Sequence, residues 1–195
     1  MLSYEESLKI LKRTNALLEG HFILSSGLHS RQYIQCAQLL CFPKESMLIC
    51  SSLAEKIKNN FKKIDVILSP AIGGIVVGYE IGRQLNIKSI FAERESGDLI
   101  LRRGFSIPAK SNVLIVEDVI TTGKSALECS KLISLSNAYL VGYACIIDRS
   151  NKKIFKNNEI ISQLKINIET YKENDLPEEL TNIEVVKPGS RNIKK

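Results

Sequence analysis

The most informative segment of the chain is VLIVEDVITTGKS, residues 113–125. Its first four residues are apolar and predict a strand that is buried on both faces. Two acids, Glu117 and Asp118, follow the strand, and the chain then enters a predicted helix, Lys124–Leu135. A helix amino terminus offers unpaired N–H groups and a partial positive charge, and Gly123 lets the backbone approach a ligand closely. The sequence therefore predicts a strand–loop–helix unit that binds a phosphate group.

The two acids indicate what else the ligand carries. A carboxylate pair would repel a bare phosphate, but it can accept hydrogen bonds from sugar hydroxyls or help to hold Mg²⁺. The pattern therefore suits a phosphorylated ribose. The alternative is a plain helix N-cap with acids in the first turn, which needs neither adjacent acids nor the Thr-Thr-Gly that follows. A nucleoside-triphosphate loop is excluded, because its pattern G-x-x-x-x-G-K-[ST] requires glycine where Asp118 stands.

Outward from this unit, predicted strands and helices alternate along the chain. A capping box at Ser3 and Glu6 predicts a first helix that ends at Gly20 and has Leu8, Leu11 and Leu18 at helical spacing. Strands are predicted at 66–68, 89–92 and 139–147, and a helix at 73–85. A helix at 43–60 is predicted to bury Met47, Cys50, Ala54, Ile57 and Phe61. This alternation favours a mainly parallel, doubly wound α/β sheet flanked by helices.

The chain is predicted to form a single domain, 1–195. Its core would cover about 41–149, and the less regular ends, about 1–40 and 150–195, would form a small hood over the sheet. Doubly wound sheets bind ligands at the carboxyl ends of their strands, so a hood in that place would supply specificity.

Composition and charge narrow the class of protein. The 195 residues are 44% hydrophobic and 25% charged, which is typical of a globular domain and excludes collagen, a coiled coil or a disordered chain. The longest weakly polar stretch, 65–80, is too short for a membrane span, and Glu5 and Glu6 stand where a signal peptide would be basic and then apolar. Five cysteines without a Cys-x-x-Cys pair favour reduced thiols over a zinc site. We expect a cytoplasmic protein without a membrane partner.

The net charge of +6 is compatible with phosphorylated small molecules and with nucleic acid. Much of it lies in lysine-rich segments such as 56–63, which are typical of a solvated face. We therefore expect no nucleic-acid partner.

The strand–loop–helix unit resembles the 5-phosphoribosyl 1-pyrophosphate (PRPP) signature of the type I phosphoribosyltransferases. Four further segments narrow the resemblance to the orotate phosphoribosyltransferases: 20–33, which includes GHFILSSG, the loop SPAIGG at 69–74, Asp148-Arg149, and KPGSR at 187–191. Together they span most of the chain. The resemblance implies the type I phosphoribosyltransferase fold, a homodimer, and transfer of the phosphoribosyl group from PRPP to N1 of orotate in pyrimidine (UMP) biosynthesis.

The resemblance also implies roles for residues of this chain. Glu117 and Asp118 would hold the ribose hydroxyls and are expected to be catalytic, and 121–125 would cradle the 5-phosphate. The orotate site would comprise Thr121, Tyr33 and Arg149, whose planar guanidinium suits a carboxylate. Arg149 could instead form a surface ion pair with Asp148, and Tyr33 could simply be half-buried packing. The PRPP-binding residues are expected to be Glu117, Asp118, Val119, Ile120, Thr121, Thr122, Gly123, Lys124, Ser125, Gly73 and Gly74. Mg²⁺ is expected to be carried mainly by PRPP, without a dedicated set of protein ligands.

The segment AERESGDLILRRGF, residues 92–105, is the expected mobile lid, with Gly97 and Gly104 as hinges. A closing basic loop would stabilise the departing pyrophosphate and exclude water. The better-known branch of the family has lysines where this chain has Gly73 and Ser25, and a lysine and histidine in the lid. We predict that Arg94 and Arg103 are the catalytic cations here. An ordinary hairpin with its turn at 96–98 is the other interpretation, and the two are compatible.

Two alternatives remain open from the sequence. A purine phosphoribosyltransferase would share the signature and differ only in the base site. A non-catalytic regulator that binds PRPP and nucleic acid would share the signature and use the positive charge.

Overall fold

The structure is a computed structural model that describes residues 1–24, 26–150, 154–155 and 160–188. The strands are β1 Leu17–Ile23, β2 His29–Ile34, β3 Val66–Pro70, β4 Lys88–Glu95, β5 Asp98–Leu101, β6 Asn112–Ile120, β7 Tyr139–Asp148, β8 Ile160–Lys165 and β9 Val185–Val186. The helices are α1 Tyr4–Arg13, α2 Cys36–Leu40, α3 Pro43–Asn60, α4 Gly73–Leu85, α5 Lys124–Leu135 and α6 Glu178–Thr181, with a 3₁₀ turn at Glu173–Asp175.

The main sheet has six strands in the order β5-β4-β3-β6-β7-β8. All neighbours are parallel except β4 and β5, which form an antiparallel hairpin. Strand β6 shows why its apolar run is continuous. Leu114 and Val116 face the cluster formed with α3 and α4, while Val113 and Ile115 face α5. The predicted mainly parallel α/β sheet, flanked by helices, is confirmed.

Strand β8 places part of the predicted hood in the core. It pairs in parallel with β7, and Leu164 is buried in the main cluster. The predicted end of the core at residue 149 is therefore wrong for this stretch. The pattern was hard to find because β8 is an edge strand that mixes apolar residues with Ser162, Gln163 and Lys165 and lacks a continuous apolar run.

The first helix is shorter than predicted. The capping box is present, since Ser3 Oγ accepts from the Glu6 N–H and the Glu6 carboxylate accepts from the Ser3 N–H. The helix, however, ends at Arg13, and Asn15 takes a left-handed φ of 56°. Leu18 and Gly20 lie in β1 instead: Leu18 pairs with Tyr33 of β2, and Gly20 lies at an irregularity in the register between Glu19 and Phe22. The prediction that the helix reaches Gly20 is wrong because strand pairing outweighs helical spacing here.

Helix α3 has the predicted bounds, but its buried face is rotated. Met47 is 39% exposed, whereas Ile49 and Leu53 are fully buried. Phe61 follows the helix and is only partly buried. Cys50, Ala54 and Ile57 are buried as predicted.

The two ends of the chain meet in a second, three-stranded sheet of order β2-β1-β9. Strand β2 is antiparallel to β1, and β9 is parallel to it. A buried histidine pair braces this sheet: His21 Nε2 lies 2.7 Å from His29 Nδ1, and His21 Nδ1 lies 3.1 Å from the Ile183 carbonyl oxygen. Through the described part of the chain, no helix has the length and apolar character needed to cross a membrane.

Candidate functional site

Two loops of the predicted site meet at the carboxyl ends of adjacent strands. Strands β3 and β6 are parallel neighbours, with Leu68 opposite Ile115, so the loop after β3 and the end of β6 lie side by side. The contact is tight. A Cβ added at Gly73, the first residue of α4, would lie 2.6 Å from Asp118 Cγ, so a larger residue there would displace this carboxylate.

Glu117 and Asp118 lie within β6, which continues to Ile120, rather than after a strand that ends at Val116. Burial, and then the neighbouring Asp118 charge, raise the pKa of Glu117 from 4.5 to about 8. Burial also raises the pKa of Asp118, against the lowering effect of the Val119 N–H bond to its Oδ1 at 2.9 Å. Among the described residues, neither carboxylate has an ion-pair partner. Hydroxyl donors or a cation would therefore complete their coordination.

These carboxylates suit Mg²⁺, because they are oxygen donors that are largely withdrawn from water and lack a cationic partner. They are not enough to hold it alone. Over the described residues, no group of three or more His, Cys, Asp or Glu side chains is placed to bind a metal ion. An ion at this position would take most of its ligands from substrate oxygens and water.

Residues 121–123 join β6 to α5, which begins at Lys124 as predicted. Because this segment is predicted to bind the 5-phosphate, it is named the phosphate loop. Gly123 has a φ of +71°, and a Cβ there would lie 2.7 Å from Ile154 Cγ2. Thr121, Thr122 and Lys124 are exposed, and α5 has no acid in its first turn. The loop thus presents hydroxyls, a lysine and a helix amino terminus to solvent, which is an arrangement that binds a phosphate. The side chain of Ile120 is fully buried, so only its backbone could face a ligand.

Phe155 packs beside this loop. Its ring is buried and stacks on Tyr143 with centroids 3.5 Å apart and an interplanar angle of 8°. It also lies beside Gly123, since a Cβ there would be 3.1 Å from Phe155 Cζ. The sequence analysis missed this residue, which follows β7 without any local motif.

Arg149 lies at the end of β7, beside the phosphate loop. The backbone N–H of Arg149 donates to the Ile120 carbonyl oxygen at 2.8 Å. The buried Nε of its side chain has no hydrogen-bond partner among the described residues. Burial lowers the pKa of Arg149, and the charge of Tyr33 opposes this effect. A buried Nε with an unused proton requires an acceptor, and an anionic ligand supplies one.

The alternative in which Arg149 forms a surface ion pair with Asp148 is wrong. Asp148 Oδ1 accepts from the Ser150 N–H at 2.8 Å, and its Oδ2 lies 3.8 Å from Lys165 Nζ. Tyr33 is half-buried, and its ring centroid lies 5.8 Å from that of Phe22. This contact agrees with a packing role for Tyr33 and does not conflict with the predicted role in the base site.

The predicted lid is a hairpin formed by β4 and β5, with Ser96 and Gly97 at its turn in positive φ. Each of its arginines has a carboxylate partner: Arg94 with Glu128 at 2.5 Å, Arg102 with Glu95 at 3.2 Å, and Arg103 with Glu93 at 2.8 Å. Because a guanidinium has five N–H donors, a lid arginine can bind pyrophosphate through the donors that its carboxylate partner leaves free. The sequence analysis missed Glu128, although its spacing of four from Lys124 was a signal. Ser25 and 189–191 lie outside the described residues.

Comparison with known proteins agrees with this geometry. The model of the family described as "Phosphoribosyl transferase domain" matches residues 43–180. A protein of Caldicellulosiruptor saccharolyticus named orotate phosphoribosyltransferase is 46% identical over 193 residues, which is 99% of this chain and 100% of that protein. A protein of Parvibaculum lavamentivorans with the same name is 44% identical, covering 98% of this chain and 100% of that protein.

Solved structures show the same fold at lower identity. Orotate phosphoribosyltransferase from Aeropyrum pernix has a TM-score of 0.71 at 21% identity, covering 81% of this chain and 92% of that chain. Adenine phosphoribosyltransferase from Thermoanaerobacter pseudethanolicus has a TM-score of 0.61 at 17% identity, covering 69% of this chain and 88% of that chain. The fold is thus shared by enzymes named for orotate and for adenine. The two relatives at 44% and 46% identity, both named orotate phosphoribosyltransferase, distinguish between these bases. By family match and by identity over nearly its full length, the chain belongs to the phosphoribosyltransferases and, among them, to the orotate phosphoribosyltransferase family.

Proposed function

We propose that the chain transfers the phosphoribosyl group of PRPP to orotate. A bond forms between N1 of orotate and the anomeric carbon, the bond from that carbon to pyrophosphate breaks, and the products are orotidine 5′-monophosphate and pyrophosphate. The observation that carries the choice of base is Arg149, a half-buried arginine whose buried Nε has no hydrogen-bond partner among the described residues and which lies beside the phosphate loop. Orotate carries a carboxylate that such a group binds, whereas the purine bases do not.

PRPP would lie along the edge where β3 and β6 end. The ribose hydroxyls would donate to Glu117 and Asp118 in their charged forms, and the 5-phosphate would accept from the amino terminus of α5 and the hydroxyls of Thr121, Thr122 and Ser125. The close approach of Gly73 to Asp118 supports pyrophosphate binding next to the ribose, because backbone N–H groups can reach it there.

Mg²⁺ is the proposed cofactor. When bound, it would neutralise charge on the departing pyrophosphate, with Glu117 or Asp118 contributing oxygen ligands at most in part. The residues of the chain would otherwise act by positioning the two substrates and by shielding a cationic sugar from water. Arg94 and Arg103 are the proposed lid cations that meet the leaving group.

We also propose a cytoplasmic homodimer that has no nucleic-acid or membrane partner. An exposed apolar stripe on α4 and the preceding residue supports a second copy as the partner. Ile72 is 85% exposed, Val76 46% and Tyr79 67%, at spacings that place them on one helix face.

The test is an ultraviolet assay of orotate consumption with PRPP and Mg²⁺, run beside adenine, hypoxanthine, guanine, xanthine and uracil. Loss of orotate that requires both PRPP and Mg²⁺ is the expected result. Turnover of a purine instead would retain the PRPP site and refute the orotate site at Arg149. Binding of PRPP without turnover of any base, together with salt-dependent affinity for nucleic acid, would identify a regulator.

A further inference from the structure

We propose that Glu128 is a positioning residue that holds Arg94, and with it the lid hairpin of residues 92–105, against the phosphate loop. The catalytic consequence rests on the proposed function. The structural part rests on contacts of this chain alone.

Glu128 links two cations that belong to different parts of the site. It lies in the second turn of α5, and its side chain is only 19% exposed. Its Oε2 accepts from Arg94 Nη2 at 2.5 Å, and its Oε1 lies 4.0 Å from Lys124 Nζ. One carboxylate therefore joins the lid to the helix whose amino terminus forms the phosphate loop. The Arg94 side chain is 42% exposed, so the pair is only partly withdrawn from water, and what distinguishes it is that it joins two elements.

The other lid arginines do not make such a link. Arg102 pairs with Glu95 and Arg103 with Glu93, and both carboxylates belong to β4 itself. Within the described residues, Arg94–Glu128 is thus the one ion pair that ties the hairpin to another element. The apolar contact beside it comes from Leu99, which is buried in the same cluster as residues of α5.

The pair also shares an electrostatic neighbour with Glu117. Cys129 follows Glu128 in α5 and is buried, and its pKa rises to about 12 through burial, then the charges of Glu117 and Glu128, with Arg94 opposing. The charges of Glu117, Glu128 and Arg94 thus act on the same buried thiol.

Removal of the Glu128 charge has two separable effects. Arg94 loses its carboxylate partner on α5 and keeps only the contact of its Nη1 with the Gly97 carbonyl oxygen inside the hairpin, so the hairpin samples more orientations and the chemical step slows. The phosphate loop becomes more positive, because Glu128 no longer offsets Lys124, so PRPP binding does not weaken. The expected signature is a fall in kcat without a rise in KM for PRPP.

The experiment compares Glu128→Gln with Glu95→Gln, a matched variant that breaks an ion pair inside the same hairpin. Steady-state kinetics with orotate and PRPP are measured beside hydrogen exchange of the amides in residues 92–105. For Glu128→Gln we expect a fall in kcat of about tenfold, a KM for PRPP within about twofold of wild type or lower, and faster exchange in the hairpin. For Glu95→Gln we expect values close to wild type.

Three outcomes would overturn the proposal. Wild-type kcat in Glu128→Gln would show that Glu128 does not position the lid. A raised KM with a lowered melting temperature would show that it only supports α5. Unchanged exchange in the hairpin would refute the link itself. Absence of orotate turnover in the wild type would refute the proposed function instead, and the exchange measurement would still decide whether Glu128 holds the hairpin.

Discussion

Glu117 and Asp118 are neighbours in the chain, yet the pleat of β6 directs their side chains to opposite faces of the sheet. The charge of Glu117 raises the pKa of Cys129 in α5, whereas the carboxylate of Asp118 lies next to Gly73 of α4. A ligand at the strand end would therefore meet one carboxylate from each side. This arrangement suits two adjacent hydroxyls of a ribose better than one compact cation alone.

Asp118→Asn should abolish most activity and leave the fold intact. Asparagine keeps the shape but cannot accept as a charged carboxylate, and it removes a charge that burial disfavours. We expect kcat/KM for PRPP to fall about 100-fold or more, with an unchanged or higher melting temperature. Retained activity would refute the proposed site.

Asp65→Asn is the matched control at the opposite end of the sheet. Asp65 Oδ2 accepts from the N–H and the Nδ2–H of Asn112, both at 2.8 Å, and these bonds lower its pKa. This variant should lower the melting temperature and retain kcat/KM. Together, the two variants separate a carboxylate that serves function from one that serves stability.

The pKa of Glu117 predicts how the stability of the free protein depends on pH. Because that pKa rises from 4.5 to about 8 on folding, the folded chain keeps a proton that the unfolded chain releases between these values. The contribution of Glu117 to the free energy of unfolding is therefore fully present below pH 4.5 and is lost as pH rises through about 8. The slope for one proton is at most about 1.4 kcal/mol per pH unit.

Urea unfolding of wild type and Glu117→Gln across this pH range measures that contribution. The free energy of unfolding of the wild type, relative to the variant, should decrease as pH rises. A difference that stays flat or increases would show that Glu117 is not desolvated in the folded state. Saturating PRPP and Mg²⁺ should weaken the decrease, because the substrate favours the charged carboxylate.

Helix α4 connects the site to the core at the scale of an element. Its first residue, Gly73, faces Asp118, and Gly82 near its other end packs on the sheet. A Cβ at Gly82 would lie 2.9 Å from the Ile87 carbonyl oxygen. Gly73 thus lets the Asp118 carboxylate approach one end of the helix, and Gly82 lets the other end pack closely against the sheet.

Alanine substitutions should separate these two roles. Gly73→Ala should displace the Asp118 carboxylate and lower kcat/KM for PRPP about 100-fold, with a smaller change in melting temperature. Gly82→Ala should lower the free energy of unfolding by about 1–3 kcal/mol and leave KM for PRPP unchanged. Equal kinetic effects in both variants would contradict the assignment of Gly73 to the site.

Helices α3, α4 and α5 have the bounds predicted from the sequence, whereas β4 and β6 extend three and four residues beyond the predicted ends. The starts of α3 and α5 have clear local signals: Pro43 is the first residue of α3, and Gly123 is the N-cap of α5. The end of α1 was not predictable, because Leu18 and Gly20 fit either a helix or a strand. Pairing with β2, a segment further along the chain, decides between them.

At the scale of the whole molecule, the apolar stripe of Ile72, Val76 and Tyr79 predicts self-association. Tyr79→Glu should convert the proposed dimer to a monomer in sedimentation equilibrium, because it places a charge in the contact. Leu135→Glu is the control, since Leu135 is also exposed, at 81%, but lies at the end of α5. A wild-type monomer would refute the homodimer, and dissociation by Leu135→Glu alone would place the contact elsewhere.

Short sequence patterns were enough to predict the strand and helix on either side of the phosphate loop, the adjacent acids, the arginine after β7 and the arginines of the hairpin. Four contacts emerged only from the folded chain: Gly73 abuts Asp118, Phe155 packs beside Gly123, Glu128 pairs with Arg94, and β8 completes the main sheet. Each of these contacts joins segments far apart in the chain, and packing rather than local propensity selects them.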